Sequence, residues 1–235
     1  PLGLSASLVT ISHVIINSTL ARAAEPETVI ASYAIGLSML GIIERPAILL
    51  RQTCSALVRD RISFRAMTAA AACLLIGMFL TGLLISYSPV GRLLFRHLFG
   101  VGDAMVEAII HVYRVLMFVS IFSGIRCLFH GIIISNMRTK WLTIGMAIRL
   151  AAMYALSLVF IKTGNVTSGQ VGAIIFLVGM AIEAGLSYWE GARLVNTLPL
   201  KKEGHDIERS GQIFKFYRPL LLSSFIAVVI GPALN

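Results

Sequence analysis

The chain has 235 residues, 57% of them hydrophobic and 13% charged, with 20 Lys+Arg against 11 Asp+Glu and a net charge of +9. A soluble core cannot hide that much apolar side chain from water, and soluble domains carry about 25% charged residues. The composition excludes a disordered chain, a nucleic-acid-binding domain and a disulfide-stapled secreted module, and it demands a polytopic membrane protein.

A transmembrane helix takes about 20 mostly apolar residues. In chain order the predicted spans run over 2–20, 28–50, 66–88, 105–134, 141–161 and 171–194, and a seventh opens at Pro219. Punctuation sits in the gaps: Glu25-Pro26-Glu27, Tyr87-Ser88-Pro89, Asn136 to Lys140, and Lys162 to Asn165. After the third span, Leu93, Leu94, Leu98 and Val101 recur at helical spacing with Arg92 and Arg96 off that face. This is either a short amphipathic helix at the interface or an early extension of the fourth span. Odd-numbered loops carry Arg22, Arg92, Arg96 and Lys162. Even-numbered loops carry three times as many basic residues, from Arg51, Arg59, Arg61 and Arg65 to Lys215 and Arg218. The positive-inside bias therefore predicts a cytoplasmic N-terminal end in the cell membrane. The cysteines Cys54, Cys73 and Cys127 lie in or beside apolar stretches and are expected to be buried packing residues.

Residues 219–235 align without gaps on 1–17, pairing Pro219 with Pro1, Leu220 with Leu2, Leu222 with Leu4, Ser223 with Ser5 and Asn235 with Asn17. An even number of spans between the two copies makes them parallel repeats. The expected organisation is a six-helix transmembrane lobe over 1–196, a cytoplasmic inter-lobe linker over 197–218, and the truncated first helix of a second lobe over 219–235. On this reading the chain is an excerpt of a protein of about twelve spans.

Ionised groups at bilayer depth cost at least about 2.5–3.5 kcal/mol on insertion scales, so they mark cavities or partners. The spans hold Glu44, Arg45, Glu107, Arg114, Arg126, Arg149 and Glu183, with Glu190 nearer the basic end. At 1.5 Å per residue, Arg126 and Arg149 lie ~12 Å from that end, Glu183 ~16 Å and Glu44 ~9 Å. Arg149 and Glu183 fall on consecutive antiparallel helices and are placed to pair. Arg126 and His130 share a helix face at i, i+4, as do His13 and Asn17. Glu107, His111 and Arg114 share another. The histidines His13, His111 and His130 are the proton-sensitive candidates. Arg126, Arg149, Glu183, His13, Asn17 and His130 are therefore the substrate-cavity candidates. Glu44, Arg45 and Pro46 are gate or hinge candidates, because a proline kinks or ends a helix interior. Four span arginines outnumber three span acids, and the guanidinium fork suits phosphate and carboxylate, so the interior favours an anionic substrate.

Pro1-Leu2-Gly3, Ala31-Ser32-Tyr33, Arg59-Asp60-Arg61 and Tyr87-Ser88-Pro89-Val90-Gly91 together resemble the progressive ankylosis protein family. That family lies within the group of multidrug and toxin extrusion (MATE) transporters and lipid-linked oligosaccharide flippases. The resemblance implies an all-α, two-lobe transporter working by alternating access, with the six-helix lobe as one half. It implies export or flipping of a small anionic solute or lipid-linked anion, with membrane lipids as partners and a coupling ion, H+ or Na+, left open. A MATE-type cation or drug antiporter and a non-transporting membrane scaffold are the competing readings. No HExxH, Gly-x-Ser-x-Gly or paired-aspartate motif points to an enzyme, and neither a cofactor, a metal nor a nucleic acid is expected as a partner.

Overall fold

The computed structural model describes the backbone of residues 2–202, 207 and 210–230, and side chains within these except 2–7, 9 and 223–230. Every element among them is an α-helix. They are α1 (Leu2–Leu20), α2 (Pro26–Ile43), α3 (Arg45–Leu57), α4 (Arg61–Tyr87), α5 (Pro89–Phe99), α6 (Asp103–Leu116), α7 (Val119–Ser135), α8 (Lys140–Thr163), α9 (Gln170–Thr197) and α10 (Ser210–Ile230). Four helices, α2, α4, α8 and α9, are individually long and apolar enough to cross a bilayer, and the bent pair α6–α7 makes five if it counts as one span. This is a multi-pass membrane protein. Ile76, Leu80 and Leu84 on α4, and Ile144, Ile148 and Val159 on α8, point outward as a lipid-facing surface.

Local signals explain most boundaries. Pro26, Pro46 and Pro89 stand in the first turns of α2, α3 and α5, where a missing N–H costs nothing. Asp60 caps α4 by accepting from the Ser63 N–H at 2.7 Å, in a reciprocal capping box. Gly100 and Gly164 close α5 and α8 in the left-handed region, at φ 64° and 68°.

The structure revises four boundaries. The span predicted over 28–50 breaks at Glu44: Pro46 cannot donate to the preceding turn, so α2 ends at Ile43 and α3 restarts at Arg45. The span predicted over 105–134 bends by 41° between α6 and α7. There the backbone tightens into three-residue hydrogen bonds, Phe118 N–H to the Val115 carbonyl and Ser120 N–H to that of Met117. The amphipathic stretch after α4 is a separate helix, α5, and not an extension of α6. Finally, the 197–218 linker is helical from Ser210, and Pro219 lies inside α10 instead of opening it. Ile213 and Tyr217 are buried there, and the Tyr217 hydroxyl donates to the Pro46 carbonyl, so packing on α3 extends the helix backward. The repeat pairing of 1–17 with 219–235 falls largely on side chains outside those described.

The α9 helix forms the centre, with 56% of its membrane-length stretch buried against 22–33% in the other single-helix candidates. Its small residues let neighbours approach closely. A Cβ on Gly179 would meet Met153 of α8 at 2.7 Å, and one on Gly191 would meet Phe129 of α7 at 2.4 Å. Aromatic and cationic side chains meet at both ends, Trp141 with Trp189 and Arg193 at one, Tyr87 with Arg114 at the other. The start of α4 and its N-cap also clasp the segment after α9. Arg61 Nε donates to the Leu198 carbonyl at 3.1 Å, and Asp60 Oδ2 accepts from the Lys202 N–H at 3.1 Å.

The α3–α7 contact gives a direct test. A Cβ at Gly131 would lie 2.6 Å from Cys54 Cβ and 2.9 Å from the Arg51 carbonyl oxygen, whereas one at Gly185 meets nothing within 4 Å. Gly131→Ala is expected to destabilise by about 1–3 kcal/mol through overpacking. Gly185→Ala should stay within about 0.5 kcal/mol. Thermal unfolding in detergent measures both.

Candidate functional site

The deepest charges converge on one carboxylate. Glu183 of α9 has no solvent exposure, and its two oxygens are divided between two helices. Arg149 Nη1 of α8 donates to Oε2 at 2.8 Å, and Arg126 Nη1 of α7 donates to Oε1 at 3.3 Å. The Arg149–Glu183 pairing expected from consecutive helices is therefore present. The acid that Arg126 lacks in its own helix comes from α9. His130, one turn on from Arg126, brings Nε2 to 3.8 Å from the same Oε1. Ser187 Oγ spends its only hydrogen on the Glu183 carbonyl at 2.7 Å. With that hydrogen committed, Ser187 Oγ is left as an acceptor toward His130 Nε2, 2.9 Å away, an arrangement that suits the tautomer carrying its proton on Nε2.

The cluster extends toward α1. The Arg149 guanidinium lies 5.1 Å from the centre of the Phe176 ring, and His13 stacks with that ring at 6.4 Å. His13 therefore joins at one remove. Asn17, expected beside it, is exposed on α1 and stands apart. At the helix break, Glu44 faces Ser123 and lies within electrostatic reach of Arg126 and Arg149, yet makes no ion pair among the described residues. Its Oε1 is buried without a hydrogen bond. Arg45 turns out to solvent or lipid, and Pro46 presents its carbonyl to Tyr217. The α6 trio separates: Glu107 pairs with Arg92 of α5 at 2.6 Å, His111 offers its carbonyl to Gln170, and Arg114 reaches back to the Ser86 carbonyl.

The three arginine-linked members differ in how fully they are engaged. Side-chain exposure is 0% for Glu183, 6% for Arg149 and 17% for Arg126. The Nε–H groups of both arginines, the hydroxyls of Tyr33, Tyr113 and Ser123, and Glu44 Oε1 are all buried without a partner. A buried polar group left unpaired costs about 1–3 kcal/mol, so each of these atoms adds to the cost of the charged interior. Sequence reading missed Tyr33, Tyr113, Ser123 and Ser187. Only Ser187 carried a signal, lying four residues after Glu183 on the same face. Cys54 and Cys127 are buried as expected, but Cys73 is exposed and no disulfide joins any of them. Among the described residues, no group of three or more His, Cys, Asp or Glu side chains is placed to hold a metal.

Comparison with known proteins adds nothing to this geometry: no family model, curated protein or solved structure matches the chain.

Removing the shared acid should be costly, because it strands two buried guanidiniums. Glu183→Ala is expected to lose about 3–5 kcal/mol of stability, the usual penalty for breaking a buried ion pair. Arg126→Ala should cost less, since Glu183 keeps its shorter partner. Denaturant unfolding in micelles, with expression levels held equal, separates the two.

Proposed function

We propose that this chain is a lobe of a secondary transporter that works by alternating access and exports or flips an anionic solute or a lipid-linked anion. The observation that carries the reading is the state of Arg126. It is the most accessible member of the buried cluster, its contact to Glu183 is the longer of the two at 3.3 Å, and its Nε–H has no acceptor. Such a guanidinium can turn two donors toward an arriving phosphate or carboxylate without leaving Glu183 unpaired. Arg149 keeps the carboxylate neutralised throughout. The cost of holding these charges at bilayer depth is hard to justify in a scaffold, which needs only helix contacts.

The two-lobe, MATE-like arrangement and the cytoplasmic N-terminal end belong to the same proposal. Their support is the short-motif resemblance to the progressive ankylosis family and the charge bias of the loops. One feature favours the cation-linked alternative: the unpaired buried oxygen of Glu44, beside the α2–α3 break, is where a coupling H+ or Na+ would find a negative partner.

Full-length protein in proteoliposomes loaded with labelled pyrophosphate, nucleotide or citrate tests the proposal. Arg126→Ala should reduce efflux of the transported anion at least about tenfold, the loss expected when a buried charge-assisted contact is truncated. Arg126→Lys, which keeps the charge but not the fork, should recover part of it. Efflux of organic cations with no anion transport would replace this reading with the antiporter.

A further inference from the structure

A second basic feature lies away from the buried cluster, at the end of the lobe opposite the loops richest in Lys and Arg. There α5 crosses the ends of α4 and α6. Its attachment is rigid. Phe95 is fully buried and stacks edge-on with Tyr113 at 6.1 Å. Gly91 sits so close to α4 that a Cβ would come within 1.8 Å of the Ile85 carbonyl oxygen. The opposite face of α5 is apolar and uncovered, with Val90 46%, Leu93 63% and Leu98 62% exposed. These side chains, with Leu94 and His97, line a shallow and mostly apolar groove of about 340 Å³.

Beneath the start of α5 is a cavity of about 220 Å³, walled by Ser86, Tyr87, Ser88, Arg92 and Arg114 among others. Arg114 is held in place by two contacts. Its Nε donates to the Ser86 carbonyl at 3.4 Å, and its guanidinium stands 4.9 Å from the Tyr87 ring centre. It has no carboxylate partner among the described residues. Arg92 enters from the other wall. Its pair with Glu107 is exposed, at 65% and 49%, where an ion pair is worth little and yields readily to a better anion. The N-terminal end of α5, capped by Ser88, adds its positive dipole to the same cavity.

We infer that the α4–α5–α6 junction is a phospholipid site, with the lipid phosphate held between Arg92 and Arg114 and an acyl chain laid along the exposed leucine face of α5. One guanidinium from α5 and one from α6, with an apolar groove along α5 itself, match the chemistry of a phosphodiester joined to hydrocarbon. A water takes about 30 Å³ of liquid volume, so 220 Å³ holds a phosphate with its ester oxygens. The inference does not depend on the transport proposal, because Arg126 and Glu183 take no part in it.

Native mass spectrometry of the purified full-length protein, with phosphatidylglycerol as probe and diacylglycerol of the same chains as the phosphate-free control, tests it. Wild-type protein should retain phosphatidylglycerol and not diacylglycerol. Arg114→Ala and Arg92→Ala should each reduce retention at least about fivefold, with thermal unfolding unchanged for the exposed Arg92 variant. Excess inorganic phosphate should displace part of the lipid. Equal retention of diacylglycerol, or full retention by both variants, would overturn the inference. Binding of inorganic phosphate without any lipid preference would overturn the assignment to a lipid.

Discussion

Three helices of this bundle meet at one buried carboxylate shared by two guanidiniums. Glu183 is sealed in the most buried helix, and Arg126 and Arg149 reach it from α7 and α8 at unequal distances. Charges brought this far from water need both Coulombic partners and hydrogen bonds. The requirement fixes the rotation of three helices about their axes. A turn of α9 by one residue, about 100°, would carry Glu183 away from both guanidiniums. The close approaches at Gly179 and Gly191 serve the same end, since they let α8 and α7 stand near enough for the arginines to arrive. The Ser187–His130 bond then locks the third edge of the cluster.

Two helix interruptions tie this centre to the rest of the bundle. The break at Glu44 places an acid beside Ser123 and Arg126, and the carbonyl of Pro46 just beyond it is held by Tyr217 of α10. The bend between α6 and α7 lets one predicted span serve two directions. Tyr113 packs under α5 on one side of the bend, while Arg126 and His130 face α9 on the other. A straight helix over the same residues could not satisfy both sets of contacts. The network thus links a helix break, a buried ion cluster and the helix that follows α9.

Much of this was legible in the sequence. Composition demanded a membrane, apolar lengths gave most of the helices, and the depth of Arg149 and Glu183 on neighbouring antiparallel spans implied their pairing. Pro46 announced the α2–α3 break through its missing N–H. The α6–α7 bend was not legible, because Met117-Phe118 contains no proline or glycine; Met117 there lies close against Gly82 of α4. The early start of α10 was hidden for a similar reason: Pro219 is a strong local signal for a helix start, and only burial of Ile213 and Tyr217 on α3 outweighs it. Asn17 shows the opposite error. Its i, i+4 spacing from His13 gave a shared face, but a face is about 100° wide, and only His13 falls on the packed edge of it.

On the proposed transport reading, Glu183 holds Arg149 permanently and Arg126 conditionally. A double-mutant cycle on unfolding free energy, pairing Glu183→Gln with Arg149→Gln and separately with Arg126→Gln, measures both couplings. The cycle is run with and without saturating pyrophosphate. The account predicts a larger Arg149–Glu183 coupling that the anion leaves unchanged, and a smaller Arg126–Glu183 coupling that collapses when the anion is added. Equal couplings, both indifferent to pyrophosphate, would contradict it and reduce the cluster to a structural clasp.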